Sequence, residues 1–219
     1  MPGLIIFDCD GVLIDSEPLA SRSLSEVLAG FEVAMSADEI NAELVGISLQ
    51  GVTDYVQDRF GVALGSEFWK AHLKAILDLF AAELKPIDYV PEMLDQISGP
   101  MCVASSGRMA RLGPALKMTG LYERFHPHIY NAEMVERAKP APDLFLCAAK
   151  EMGVAPKDCL VIEDSRPGVT AACAAGMAVI GFTGGGHKRP GHGDALSAAG
   201  AGQVFANMRK LPDILRSTI

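Results

Sequence analysis

Two patterns of apolar residues follow one another along the chain, and the change between them divides it. Leu4 to Phe7 is a continuous apolar run of the length that suits a strand buried on both faces. From there to about residue 85 the apolar positions recur at helical spacing: Leu24, Val27, Leu28 and Phe31; then Ile40 and Leu44; then Val52, Tyr55, Val56 and Phe60. A last stripe carries Trp69, Leu73, Ile76, Leu77, Phe80 and Leu84 on one face. Start and stop signals fall between the stripes. Asp15-Ser16-Glu17-Pro18 opens the first helix with Asp15 as its cap, and Ser36 with Glu39 makes a capping box. Gly61 closes the third helix and Ser66 caps the fourth.

From Pro91 the pattern turns to short apolar strands alternating with helices. Strands are expected at 101–104, 128–130, 160–162, 178–182 and 204–205. Helices are expected over 108–118 and 142–152, with another ending at Ala175. Such alternation predicts an α/β fold, a Rossmann-like parallel sheet with helices on both faces, built from residues 1–15 and 86–219. Residues 16–85 form a four-helix insert. Ligands of such sheets bind beyond the carboxyl ends of the strands, so chemistry is sought there.

Three strand ends and one helix start stand out. The first strand runs into Asp8-Cys9-Asp10-Gly11, two carboxylates where stability alone would place none. If the strand continues through them they share a face, with Cα atoms roughly 6.5 Å apart. A calcium loop needs its Gly at the sixth position, whereas Gly11 is the fourth counted from Asp8. The strand at 101–104 ends in Ser105-Ser106-Gly107, a hydroxyl and backbone N–H groups entering a helix. Such a loop can hold phosphate oxygens, although Ser also serves there as an ordinary cap. Glu163 and Asp164 follow the strand at 160–162. Buried carboxylates are costly unless a hard cation partners them. Lys139-Pro140 precedes a helix, and the fixed backbone of Pro can aim the Lys. Together, Asp8, Asp164 and Glu163 can hold Mg²⁺ while Ser105 and Lys139 take phosphate oxygens, which is most of what phosphoryl transfer requires.

Composition narrows the classes. The 219 residues are 49% hydrophobic and 21% charged, ordinary for a folded chain with one large core and a smaller unit. The net charge is −8 and no basic run is interleaved with aromatics, so no nucleic-acid partner is expected. No stretch reaches membrane-spanning length and no basic flank marks a signal peptide, so neither membrane nor secretion is expected. Cys9, Cys102, Cys147, Cys159 and Cys173 are odd in number and scattered among apolar residues. They read as small core residues of a cytoplasmic protein, not as disulfides or a zinc site.

The motifs Asp8-Cys-Asp10-Gly-Val, Ser105, Lys139-Pro140-Ala-Pro-Asp143 and Glu163-Asp164-Ser-Arg-Pro-Gly168, in this order, resemble the haloacid dehalogenase superfamily of phosphatases and phosphomutases. The helical insert is similar to the α-helical cap of its phosphoglycolate-phosphatase-like and β-phosphoglucomutase-like members. The resemblance implies that Asp8 is the nucleophile and forms an aspartyl-phosphate. It implies that Asp10 protonates the leaving alkoxide, then activates water, and offers its backbone carbonyl to Mg²⁺. Asp164 would complete the metal site, with Glu163 either binding the ion directly or standing behind its ligands. Ser105, Ser106, Gly107 and Lys139 would bind the phosphate.

Dehalogenases lack a carboxylate at the Asp10 position, since a departing halide needs no proton, so dehalogenation is not expected. β-Phosphoglucomutase-like members carry a His and an Arg where this chain has Ala20 and Leu49, the latter beside Gly46-Ile-Ser48. Water is therefore the expected acceptor, and the expected activity is hydrolysis of small sugar or polyol phosphates by a monomer or weak homodimer. The alternatives are a sugar phosphomutase and a non-enzymatic phospho-accepting signalling domain. Gly184 to Gly193 lacks the ending of a nucleotide P-loop and reads as a flexible polar loop. A rival reading has His187, Lys188 or Arg189 reach an acidic group of the substrate.

Overall fold

The structure, a computed structural model, describes residues 2–44, 47, 49–186 and 190–217. The Gly46-Ile-Ser48 comparison (apart from Ile47), the Leu49 side chain, and His187, Lys188 and Arg189 lie outside the described residues. Two compact units form, one of residues 16–84 and the other of 1–15 with 85–219.

Residues 16–84 fold as α1 (Glu17–Ala29), α2 (Ala37–Glu43), α3 (Leu49–Phe60) and α4 (Ser66–Glu83). Leu24, Leu28, Ile40, Val52, Val56 and Phe68 meet in one apolar core. The capping box on α2 forms as the Ser36–Glu39 spacing predicts. Two caps differ from expectation. Helix α4 begins at Ser66 itself behind Gly65, and its buried face centres on Phe68, Ile76 and Phe80. Asp15 does not cap α1; Ser16 takes that position, and its side chain makes no capping bond to the helix. The Asp15 backbone is still pinned by its N–H to Lys85 O, and its carboxylate instead accepts the Gly186 N–H at 2.7 Å.

The larger unit is built on six parallel strands: β1 (Leu4–Phe7), β2 (Met101–Ser105), β3 (Ile129–Asn131), β4 (Cys159–Glu163), β5 (Ala178–Phe182) and β6 (Gln203–Phe205). They lie in the order β3-β2-β1-β4-β5-β6. Between them run α5 (Val90–Leu94), α6 (Met109–Met118), α7 (Tyr122–Phe125), α8 (Asp143–Glu151), α9 (Arg166–Ala174) and α10 (His192–Ala199), and α11 (Leu211–Ser217) follows β6. β1 is central, and its unbroken apolar run reflects burial on both faces. Leu4 and Ile6 pack into a cluster with Leu144, Phe145 and Ala148 of α8 and Val169 of α9. On the opposite face Phe7 meets Phe125 of α7 edge-on, with ring centroids 6.0 Å apart.

In register, Phe7 stands opposite Val103 of β2 and Ile162 of β4, so the three neighbouring strands finish within two residues of one another. The strand order reverses between β1 and β4, the crevice where open α/β sheets bind ligands. All five cysteines are free thiols; Cys9, Cys102 and Cys159 are buried as expected, whereas Cys173 is exposed. Among the described residues no helix is long and apolar enough to cross a membrane.

Candidate active site

The first carboxylate lies one residue past β1. Asp8 donates its N–H to Ile162 O at 2.9 Å, so it is still tied to β4. The chain then turns. Gly11 takes a positive φ of 72°, and the N–H groups of Leu13 and Ile14 both reach back to Cys9 O, at 2.9 and 3.1 Å. Asp8 and Asp10 therefore sit on a turn, not two apart on a strand as the spacing suggested. Val12, Leu13 and Ile14, all at most 1% exposed, anchor that turn in the core.

Asp8 is held from the far side of the site. Lys139 Nζ donates to Asp8 Oδ1 at 2.6 Å, to Glu163 Oε1 at 2.8 Å and to Ala104 O at 3.0 Å. An ammonium has three donors, and all three are used. It also lies 4.6 Å from the centroid of the Phe145 ring, which closes off water. The Lys139 side chain is 3% exposed, so burial alone would lower its pKa, but Asp8 and Glu163 more than reverse this and push it above the ordinary lysine value. A buried ion pair is stable only when geometry and hydrogen bonding are this complete.

The motif leaves Glu163 either a metal ligand or a support behind the ligands. In the structure its Oε1 takes Lys139, while its Oε2 accepts both the N–H and the hydroxyl of Ser165 at 2.7 and 2.9 Å. Asp164, 6% exposed, lies close enough to raise the Asp8 pKa. Burial pushes the Asp8 carboxyl well above the usual carboxylate range; Lys139 opposes this, and Glu163, Asp164 and Asp10 add to it.

Ser105 ends β2 fully buried. Its Oγ accepts the Gly107 N–H at 3.0 Å and lies 3.5 Å from Asp10 Oδ2. Ser106 is exposed and Gly107 half-buried at the entrance to α6. Asp8, Asp10, Ser105, Lys139, Glu163 and Asp164 thus converge at the carboxyl ends of β1, β2 and β4.

Two partners were not singled out from sequence. Arg111 of α6 makes a two-pronged ion pair with Asp10, Nη1 to Oδ1 at 3.0 Å and Nη2 to Oδ2 at 2.6 Å. Glu133, after β3, accepts the Met109 N–H at the start of α6 and the Asn131 amide, both at 2.9 Å. A signal for Arg111 existed. Arg108 and Arg111 flank the N-terminus of α6, the end of a helix where cations are unfavourable.

The donor set suits a hard divalent cation. Four carboxylates, Asp8, Asp10, Glu163 and Asp164, face two cations, Lys139 and Arg111, which leaves an excess of negative charge. Among the described residues no three His, Cys, Asp or Glu side chains form a ready-made metal cage. Magnesium needs none, since it takes one or two carboxylates with waters and a substrate phosphate.

Comparison with known proteins agrees with this geometry. The 6-phosphogluconate phosphatase of Escherichia coli is 30% identical over 187 residues, covering 85% of each chain. The fructose-1-phosphate phosphatase of the same organism is 33% identical over 184 residues, covering 80% of this chain and 94% of its own. A crystal structure of a haloacid dehalogenase-like protein of unknown function from Agrobacterium tumefaciens superposes with a TM-score of 0.86 at 36% identity, covering 100% of this chain and 99% of the other. The family model of haloacid dehalogenase-like hydrolases matches residues 2–176, and the chain belongs to that family.

Proposed function

We propose that this protein is an Mg²⁺-dependent phosphatase of small phosphorylated metabolites, in particular sugar or polyol phosphates, acting through a phosphoryl group carried on Asp8. The observation that carries this reading is the Lys139 ammonium, fixed by Glu163 and Ala104 and pressed against Asp8 Oδ1 at 2.6 Å. A lysine locked in this way holds a nucleophilic carboxylate in one orientation and stays charged to offset the phosphate. The phosphorylated-sugar names of the two Escherichia coli relatives support the substrate class.

In the first half of the reaction Asp8 bonds to phosphorus, the bond from phosphorus to the substrate oxygen breaks, and Asp10 gives its proton to the departing alkoxide. Ser105 Oγ, the backbone of Ser106 and Gly107, and Lys139 hold the phosphate oxygens. In the second half water attacks the phosphoryl group, Asp10 takes the proton and Asp8 is released as a carboxylate. Asp8, Asp164 and the Asp10 carbonyl would hold the cation. When bound, the cation neutralises charge on the transferring phosphoryl group and on the clustered carboxylates. Glu163 acts behind the site, orienting Lys139. Residues 16–84 would correspond to the helical cap of the family.

The test is phosphate release from a panel of sugar, polyol and nucleoside phosphates, with Mg²⁺ and with EDTA. Release should require both Mg²⁺ and Asp8, and Asp8→Asn should abolish it. Isomerised sugar phosphate in place of free phosphate would show a mutase. A long-lived phosphoryl-Asp8 without turnover of any ester would show a phospho-accepting domain.

A further inference from the structure

Arg111 and Asp10 come from positions 101 residues apart and form a contact for which the reaction above has no use. Arg111 is the third residue of α6, at the helix end that favours anions, yet it is turned onto a carboxylate. The fork is bidentate, at 3.0 and 2.6 Å, a geometry that fixes a carboxylate in orientation as well as in charge. The Arg111 and Asp10 side chains are 23% and 14% exposed, so water screens the pair less than it would on an open surface. Space is kept for the fork, since a Cβ at Gly107 would lie 2.9 Å from Arg111 Nη2.

We propose that Arg111 is a positioning residue for Asp10 in the breakdown of phosphoryl-Asp8. This rests on the phosphatase reading above. Both Asp10 oxygens receive an N–H from the guanidinium, an arrangement that fits the carboxylate better than the neutral acid, whose hydroxyl oxygen is the poorer acceptor. The clamp therefore serves the half-reaction in which Asp10 accepts a proton. Once the alkoxide has left with the Asp10 proton, Arg111 holds the new carboxylate in place. Water oxygen then bonds to phosphorus, the bond from phosphorus to Asp8 breaks with its electron pair returning to Asp8, and the proton of the water passes to Asp10. Asp10 leaves this step protonated, as the next alkoxide requires, and the fork opens. Lysine at this position would restore the charge but not the two-point grip.

The experiment is transient kinetics of the full chain with Mg²⁺ and p-nitrophenyl phosphate. In Arg111→Gln, a burst of nitrophenol should precede a steady rate at least about tenfold below that of the unaltered protein. KM should fall with kcat, so that kcat/KM stays within about threefold, because only the second half is slowed. Phosphoryl-Asp8 should be trapped on acid quench, and Arg111→Lys should recover part of the lost kcat. If the Gln variant does not fold, the Lys variant should still give a smaller burst. A kcat/KM that falls in step with kcat, with no burst and no trapped phosphoryl-enzyme, would overturn the proposal and leave Arg111 as a structural ion pair. Asp10→Asn run alongside separates the two levels. Slow breakdown there with none in the Arg111 variants defeats only the role of Arg111. Undiminished turnover in Asp8→Asn defeats the phosphoryl-Asp8 mechanism on which the proposal rests.

Discussion

Gly168 lies directly against Glu163: a Cβ added at position 168 would fall 1.6 Å from Glu163 Oε1 and 2.5 Å from Oε2. The Glu163 carboxylate has nowhere to retreat, being 1% exposed and bonded to Lys139 and Ser165. Gly168 is thus part of the support for the Lys139–Asp8 pair, one layer behind the reacting atoms. Gly168→Ala should break the Glu163–Lys139 contact. The expected cost is about 2–4 kcal/mol of stability from overpacking and a disrupted buried ion pair. The kcat loss should be at least roughly tenfold. Urea denaturation and turnover of p-nitrophenyl phosphate check both. A variant as stable and active as the original would show that Glu163 can move aside freely.

Glu163 and Asp164 are neighbours in sequence with different expected roles. Glu163→Gln keeps the shape but removes a charge from Lys139, so it should lower kcat by roughly 10- to 100-fold while the Mg²⁺ concentration for half-activation shifts little. Asp164→Asn should do the reverse, weakening Mg²⁺ activation by at least about tenfold. Mg²⁺ titrations of the two variants settle the matter, and equal shifts in both would make Glu163 a metal ligand.

Asp10 as general acid makes a distinct forecast about leaving groups. An alkoxide needs a proton to depart, whereas nitrophenolate does not. Asp10→Asn should therefore cost about 10²–10⁴-fold in kcat/KM on a sugar phosphate and much less on p-nitrophenyl phosphate. Equal losses on both would argue against proton donation by Asp10.

The raised pKa of Asp8 would make the proposed metal binding depend on pH. A carboxyl whose folded pKa lies above its unfolded value binds a proton that the unfolded chain has released. Its contribution to stability is complete below the ordinary carboxylate range and is lost as pH rises through the raised value. Lys139, raised above the ordinary lysine value, keeps its contribution throughout neutral pH and so does not mask the effect. Under the proposed function, Mg²⁺ held by Asp8 would take the place of the proton. The rise in Tm on adding Mg²⁺ should therefore be larger at pH 8 than at pH 5, by differential scanning fluorimetry in matched ionic strength. A shift of the same size at both pH values would show that the cation does not compete for Asp8.

Much of this arrangement was legible in the sequence because it depends on local chemistry. The apolar run of Leu4 to Phe7 specifies a doubly buried strand, and hence a central one. Helical periodicity after Ser16 and strand–helix alternation after Pro91 separate the insert from the sheet. Carboxylates, a serine loop and a lysine at strand ends and helix starts are conspicuous because stability alone does not explain them there. Elements whose signals are shorter than a turn or two escaped, among them the brief helices α5 and α7.

What tertiary structure alone decided is the pairing among those groups. That Lys139 bridges Asp8 and Glu163 depends on β1 and β4 lying side by side, positions 131 and 24 residues from the lysine. That Asp10 faces Arg111, and that Asp15 receives Gly186 in place of a helix end, are likewise contacts across 101 and 171 residues. Sequence spacing carries the periodicity of helices and strands, since these follow from backbone geometry over a few residues. It carries no record of which distant charges meet, because a buried charge takes the partner that the packed fold brings within reach.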